Sequence, residues 1–126
     1  MAETKKCGIK NGTLMKHFFK KNINSKNSLV LVAEEDNKVV GYILGEPLKG
    51  NVAFLGLFAV HKEHRGKGIG KELIRVFRNR CGELDLTYIF FYAPAFNSDT
   101  VEFYKKQGFI AGKKYVCFAE SMNKLN

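Results

Sequence analysis

Apolar and polar positions along this chain follow two periods. Between residues 29 and 60 three runs are dense in β-branched, aromatic and other apolar residues. Residues 29–33 are continuously apolar, 39–44 are rich in Val, Ile and Tyr, and 52–60 (VAFLGLFAV) are apolar on both faces, as a central strand requires. Asp36 and Asn37 lie between the first two runs and predict a hairpin turn. Gly56 interrupts the third run and predicts a bulge or a close backbone approach. From Ile69 the period changes: Ile69, Leu73, Phe77 and Cys81 recur at four-residue spacing with Ile74 on the neighbouring row, which predicts a helix over 68–80. Residues 84–92 read as a further strand stopped by Pro94, 98–107 as a short helix closed by Gly108, and 109–119 as a last strand. Upstream, Leu14, Met15, Phe18, Phe19 and Ile23 predict an amphipathic helix over 14–23 capped by Thr13, while 1–12 read as a flexible tail. After residue 28 the order is β-β-β-α-β-α-β, an α/β (α+β) arrangement.

A chain of 126 residues, 45% hydrophobic and 13% aromatic, carries one real core and reads as a single domain over 1–126. That composition excludes intrinsic disorder for most of its length. No apolar run approaches the roughly 20 residues of a membrane-spanning helix, and no signal-peptide core is visible, so a cytoplasmic setting without membrane partners is expected. The three cysteines, Cys7, Cys81 and Cys117, cannot pair completely and lack zinc spacing. His61 and His64 flank Lys62 and Glu63 without a third ligand nearby, so no metal site is expected. Lys and Arg number 21 against 12 Asp and Glu, a formal charge of +9 that suits an anionic partner. No helix-turn-helix, zinc or aromatic RNA-binding signature accompanies the charge, which disfavours nucleic acid.

The most informative stretch is Val60-His-Lys-Glu-His-Arg-Gly-Lys-Gly-Ile-Gly-Lys71, which joins a buried strand to an amphipathic helix. Gly66, Gly68 and Gly70 alternate at the helix start, where the first N–H groups have no internal partner and the helix dipole is positive. Arg65, Lys67 and Lys71 add charge at the same end, so a phosphate group is the natural occupant. Two other phosphate motifs fail on spacing. Lys71 is followed by Glu72 rather than Ser or Thr, and the sixth place counted from Gly66 is Lys71 rather than Gly.

The remaining pattern, Arg65-Gly66-Lys67-Gly68-Ile69-Gly70 after a strand ending Phe58-Ala59-Val60, resembles the GNAT superfamily of N-acetyltransferases. A second segment, from Asn97 through Tyr104 to Gly108-Phe109, is similar to that family's second cofactor motif. The resemblance implies a GNAT fold: a central mixed, mostly antiparallel twisted sheet, splayed between its fourth and fifth strands and flanked by helices. It implies acetyl-coenzyme A as acetyl donor, no metal, and a primary amine of a small molecule, peptide or protein as acceptor. Backbone groups of Phe58, Ala59 and Val60 would bond pantetheine, and residues Arg65, Gly66, Lys67, Gly68, Ile69, Gly70 and Lys71 would cradle the pyrophosphate. Asn97 would contact the pantetheine region, and Tyr104 would protonate the departing thiolate.

The family often carries a glutamate on its fourth strand as general base, but Gly56 and Leu57 stand there in this chain. Glu46, near the end of the third strand, is the first candidate among side chains, with His61 and His64 behind it; a water relayed by backbone carbonyls, or an acceptor whose amine is already partly neutral, is the alternative to a side-chain base. The family's N-terminal strand and first helix look absent or reduced, which implies an open acceptor side or a homodimer that completes it. A catalytically weak acetyl-coenzyme A-binding module is the alternative to an active enzyme.

Overall fold

Hydrogen-bonded pairing in the first part of the chain builds one sheet with strand order β1-β2-β3-β4-β5. The strands are β1 (Cys7–Lys10), β2 (Leu29–Glu35), β3 (Lys38–Leu48), β4 (Val52–Val60) and β5 (Tyr88–Phe90). The computed structural model describes the backbone of residues 7–10 and the whole of residues 29–113 and 116–123. The helix expected over 14–23, with Thr13 and His17, lies outside the described residues. The chain divides into two compact units, Met1–Tyr92 and Ala93–Asn126.

In the first unit, β1 to β4 are antiparallel neighbours and β5 runs parallel to β4. The hairpin between β2 and β3 turns on Asp36 and Asn37, with φ of 51° and 64°. Two successive positive φ values twist a two-residue loop the way paired strands twist, and Asp and Asn tolerate them better than other non-glycine residues. In the β3/β4 ladder Leu44 faces Leu57 while Gly45 faces Leu55, so Gly56 is the extra residue of a bulge, as its place in the run predicts.

One helix, α1 (Ile69–Glu83), packs on β2, β3 and β4 after a single 3₁₀ turn at Lys62–His64. Its buried residues Ile69, Leu73, Ile74, Phe77 and Cys81 meet Leu29, Leu31, Ile43, Ala53 and Leu55 in the core. Gly41 and Gly45 on β3 let the helix approach. A Cβ at Gly45 would lie 2.9 Å from Leu29 Cβ and collide with the edge of the Phe77 ring at Cε2 and Cζ. Gly45→Ala is therefore expected to cost about 1–3 kcal/mol through overpacking, read as a lower denaturant midpoint; an unchanged midpoint would contradict this packing.

The β4/β5 ladder holds only from Val52↔Tyr88 to Phe54↔Phe90, after which the strands part. This is the splay that the resemblance implies, and it leaves Leu55 to Val60 beyond the reach of the β5 ladder.

Three expectations are corrected. Residues 7–10 are not loose tail but β1, paired with β2 from Cys7↔Glu35 to Lys10↔Val32. Four residues are too few to show a period, and main-chain bonds rather than side-chain pattern define the strand. The first strand is thus short rather than absent. The strand expected over 84–92 shrinks to Tyr88–Phe90, because Leu84 caps α1 and Asp85 turns the chain at φ 57°. The strand expected over 109–119 does not form among the described residues: Ile110, Val116 and Phe118 are exposed, and Gly112 with Lys113 breaks the apolar run.

The second unit is built on α2 (Ser98–Lys106). Asn97 caps it, its side-chain oxygen accepting from Thr100 N at 3.3 Å. The helix ends on Gly108 at φ 93°, with Phe109 N donating back to Tyr104 O at 3.1 Å.

Candidate active site

The glycine turn fixes how α1 begins. Gly68 is the N-cap at φ 83° and offers no side-chain cap, and the first intrahelical bond described is Glu72 N to Gly68 O at 3.0 Å. The N–H groups of Ile69, Gly70 and Lys71 precede that bond and have no acceptor one turn back. A Cβ at Gly66 or Gly68 would meet nothing within 4 Å, so the turn is open at these two positions. Those donors, the dipole of a 15-residue helix and the lysines at 67 and 71 fit the pyrophosphate of acetyl-coenzyme A. Glu72, the acid of the first turn, is taken by Arg75, whose hydrogen bonds hold its carboxyl below the ordinary value. Ile69 differs from its neighbours: its side chain is buried in the core, so only its backbone can face a ligand.

The base of the turn is tied to the sheet. His61 N donates to Val40 O on β3 at 2.6 Å, and Arg65 Nε donates to Val60 O at 3.0 Å. The Arg65 guanidinium thus folds back on the strand end, and the Val60 carbonyl already accepts one bond. Phe58, Ala59 and Val60 pair with Ile43, Tyr42 and Gly41 along β3 and are partly buried. His61 Nδ1 accepts from Glu63 N at 3.2 Å, and His64 Nδ1 lies 2.8 Å from Glu35 Oε2, so each ring nitrogen facing the protein is engaged.

Glu46 lies beside the β4 bulge. Across β3 and β4 it pairs with Phe54, and it lines a depression of about 210 Å³ with Val30, Leu44, Gly45, Phe54, Gly56 and Leu57. Residues paired in register share a face, and Gly45 points its missing Cβ at α1, so Glu46 and Phe54 belong to the face away from that helix. Phe54 stacks at 5.1 Å from Phe90, and Tyr92 closes the cluster at 6.3 and 6.1 Å from the two rings. The bulge therefore sets an exposed carboxylate of β3 in an apolar and aromatic hollow beside β4, the strand that leads to the glycine turn.

In the second unit Asn97 and Tyr104 are seven residues apart, close to two helical turns, and so share a face of α2. The Asn97 oxygen is committed to the cap. The Tyr104 ring is half-buried between Phe103 at 5.4 Å and Phe109 at 6.1 Å, and burial raises its phenol above the usual value of 10. Such a phenol keeps its proton at neutral pH. Cys81, buried under the core, is pushed up to about 11 and is a poor nucleophile.

Two contributors are not evident from motif reading. Phe54, expected only as strand core, lines the hollow. Glu35, at the end of β2, reaches the turn; period two from Leu29, Leu31 and Ala33 puts it on the α1 face, where an acid is out of place.

With this geometry in place, the comparisons with known proteins are direct. Residues 5–109 match the model of the acetyltransferase (GNAT) family. The chain belongs to that family. It is 39% identical over 79 residues to an uncharacterized N-acetyltransferase of Methanocaldococcus jannaschii, covering 62% of this chain and 50% of that protein. It is 38% identical over 61 residues to the L-2,4-diaminobutyric acid acetyltransferase of Virgibacillus pantothenticus, covering 47% of this chain and 38% of that protein. The chain thus spans half or less of the curated relatives it matches. Among solved structures, a candidate streptothricin acetyltransferase from Bacillus anthracis, crystallised with acetyl coenzyme A, superposes with a TM-score of 0.71 at 27% identity. That match covers 76% of this chain and 55% of the other. Among the described residues no helix is long and apolar enough to cross a membrane.

Proposed function

We propose that the protein is an acetyl-coenzyme A-dependent N-acetyltransferase that moves an acetyl group directly to a primary amine. The observation that carries this reading is the uncapped, glycine-led start of α1 directly after the part of β4 that has left β5. The relatives named above, and a solved neighbour with acetyl coenzyme A bound, support it. When bound, the thioester supplies an activated acetyl carbonyl and a thiolate leaving group. The backbone of residues Arg65 to Lys71 holds the phosphates, and the edge of β4 from Phe58 to Val60 aligns the pantetheine arm.

An acceptor ammonium has a reference pKa near 10.4 and must lose a proton before its nitrogen can attack. Glu46, in the hollow by the bulge, takes that proton, either directly or through water. Tyr104 gives its phenolic proton to the sulfur as the carbon–sulfur bond breaks. Its raised pKa suits the role, because the acid must enter the step protonated. The acceptor is a small or peptidic amine able to place an apolar arm against Phe54 and Leu57. Free thiols at Cys81 and Cys117 support a reducing, cytoplasmic setting.

The test is a panel of amines assayed by coenzyme A release. Tyr104→Phe is expected to lower kcat about a hundredfold while acetyl-coenzyme A affinity changes less than about twofold. Loss of the alkaline limb above pH 10 in this variant checks the proton assignment, because the acid is active only below its own pKa. A Tyr104→Phe enzyme at full speed would remove Tyr104 from the reaction. Sedimentation velocity addresses the acceptor side: a fully active monomer would exclude a second subunit completing it.

A further inference from the structure

Glu35 is the buried charged side chain among the described residues, 7% exposed, and it does not line the hollow. It ends β2, yet its carboxylate reaches the turn before α1, 29 residues further along the chain. Its Oε2 lies 2.8 Å from His64 Nδ1 and 3.9 Å from Lys67 Nζ. One hydrogen bond thus ties the end of β2 to the turn through His64. Lys67 Nζ is 3.5 Å from that same nitrogen. The carboxylate, the ring and the ammonium therefore meet at one point beside the turn.

The other ties of the turn, from His61 to Val40 and from Arg65 to Val60, hold its two ends at the strand. Glu35 acts between and beyond them, at His64 and Lys67. Gly66 and Gly68 on either side of Lys67 stand in open space at φ 79° and 83°. Glycines in such positions leave the backbone free to take many conformations, so an outside anchor is needed to keep the donors convergent. A buried carboxylate is a strong anchor, since leaving its partners strands an unpaired charge out of water.

We infer that Glu35 is a positioning residue of the phosphate turn. It draws His64 and Lys67 to one point and so sets the N–H groups from Gly66 to Lys71 for a single anion. The inference rests on reading residues 65–71 as the pyrophosphate cradle. The positioning is read out through the phosphates, because the partners of the Glu35 carboxylate among the described residues, His64 and Lys67, both lie on the turn.

Glu35→Gln keeps the volume and one acceptor but removes the charge. Two measurements on the whole chain test it. By calorimetry, coenzyme A should bind about tenfold more weakly, the scale of one lost charge-assisted contact. Pantetheine, which lacks the pyrophosphate, should bind as before. In the ligand-free protein, amide exchange should rise across residues 62–68 and stay unchanged across 73–81. Equal losses for both ligands, or unchanged exchange at 62–68, would overturn the inference. If the parent protein binds pantetheine but gains nothing from the pyrophosphate of coenzyme A, the cradle reading falls with it, whatever the exchange shows. His64→Gln breaks the same contact from the more exposed side, and its ligand split must match if Glu35→Gln does not fold.

Discussion

Gly68→Glu is expected to weaken coenzyme A binding about a thousandfold while leaving the sheet and α1 folded. Two terms add. Gly68 holds φ 83°, where a side chain costs about 1–2 kcal/mol. The new carboxylate would also stand at the start of α1, beside the residues where the pyrophosphate is read to bind. Like charges about 5 Å apart at an effective dielectric near 20 repel by roughly 3 kcal/mol. A Cβ at this position meets nothing within 4 Å, so collision inside the protein contributes nothing to the loss. Gly68→Ala carries only the backbone term and should lose about tenfold. Calorimetry with coenzyme A, beside circular dichroism for the fold, separates the two variants. A glutamate variant that binds within threefold of the parent would remove the cradle from this turn.

Phe77→Ala carries the largest expected loss of stability, about 3–5 kcal/mol. Phe77 is fully buried, and its ring fills the space that Gly45 leaves on β3. Its removal opens a cavity between α1 and the sheet at Gly45, which the glycine backbone cannot fill. A loss of that size is a large fraction of the total stability of a domain, about 5–15 kcal/mol. Urea unfolding of the two proteins measures it, with the midpoint falling and the slope kept. A loss below about 1 kcal/mol would mean that α1 is not clamped to the sheet at this ring. Because α1 also presents the proposed phosphate donors, the variant should bind coenzyme A in proportion to its folded fraction.

The parts of this fold that period and turn chemistry encode are legible in the sequence. The four-residue spacing of Ile69, Leu73, Phe77 and Cys81 gives α1, Asp36-Asn37 gives the hairpin, and Gly56 within an apolar strand gives the bulge. The glycine turn is legible because its chemistry is local: glycines, cations and a helix start lie in one stretch. Pairing is not local, and there the reading fails. The apolar run around Ile110 and Phe118 looks like strand but forms no ladder among the described residues, while Cys7–Lys10, with no visible pattern, pairs along β2. Glu46 becomes a site candidate with surroundings only when register sets it opposite Phe54 at the bulge. Glu35 hides in the run Glu34-Glu35-Asp36, which reads as a solvated hairpin end until the alternation from Leu29 is followed to its last residue.

The most direct test of the account is calorimetric titration of acetyl-coenzyme A into the purified chain. Saturable one-to-one binding with a micromolar dissociation constant, competed by coenzyme A, is the predicted result. A folded protein that takes up neither molecule would contradict the account, and the turn at residues 65–71 would then be a scaffold for α1 rather than a site.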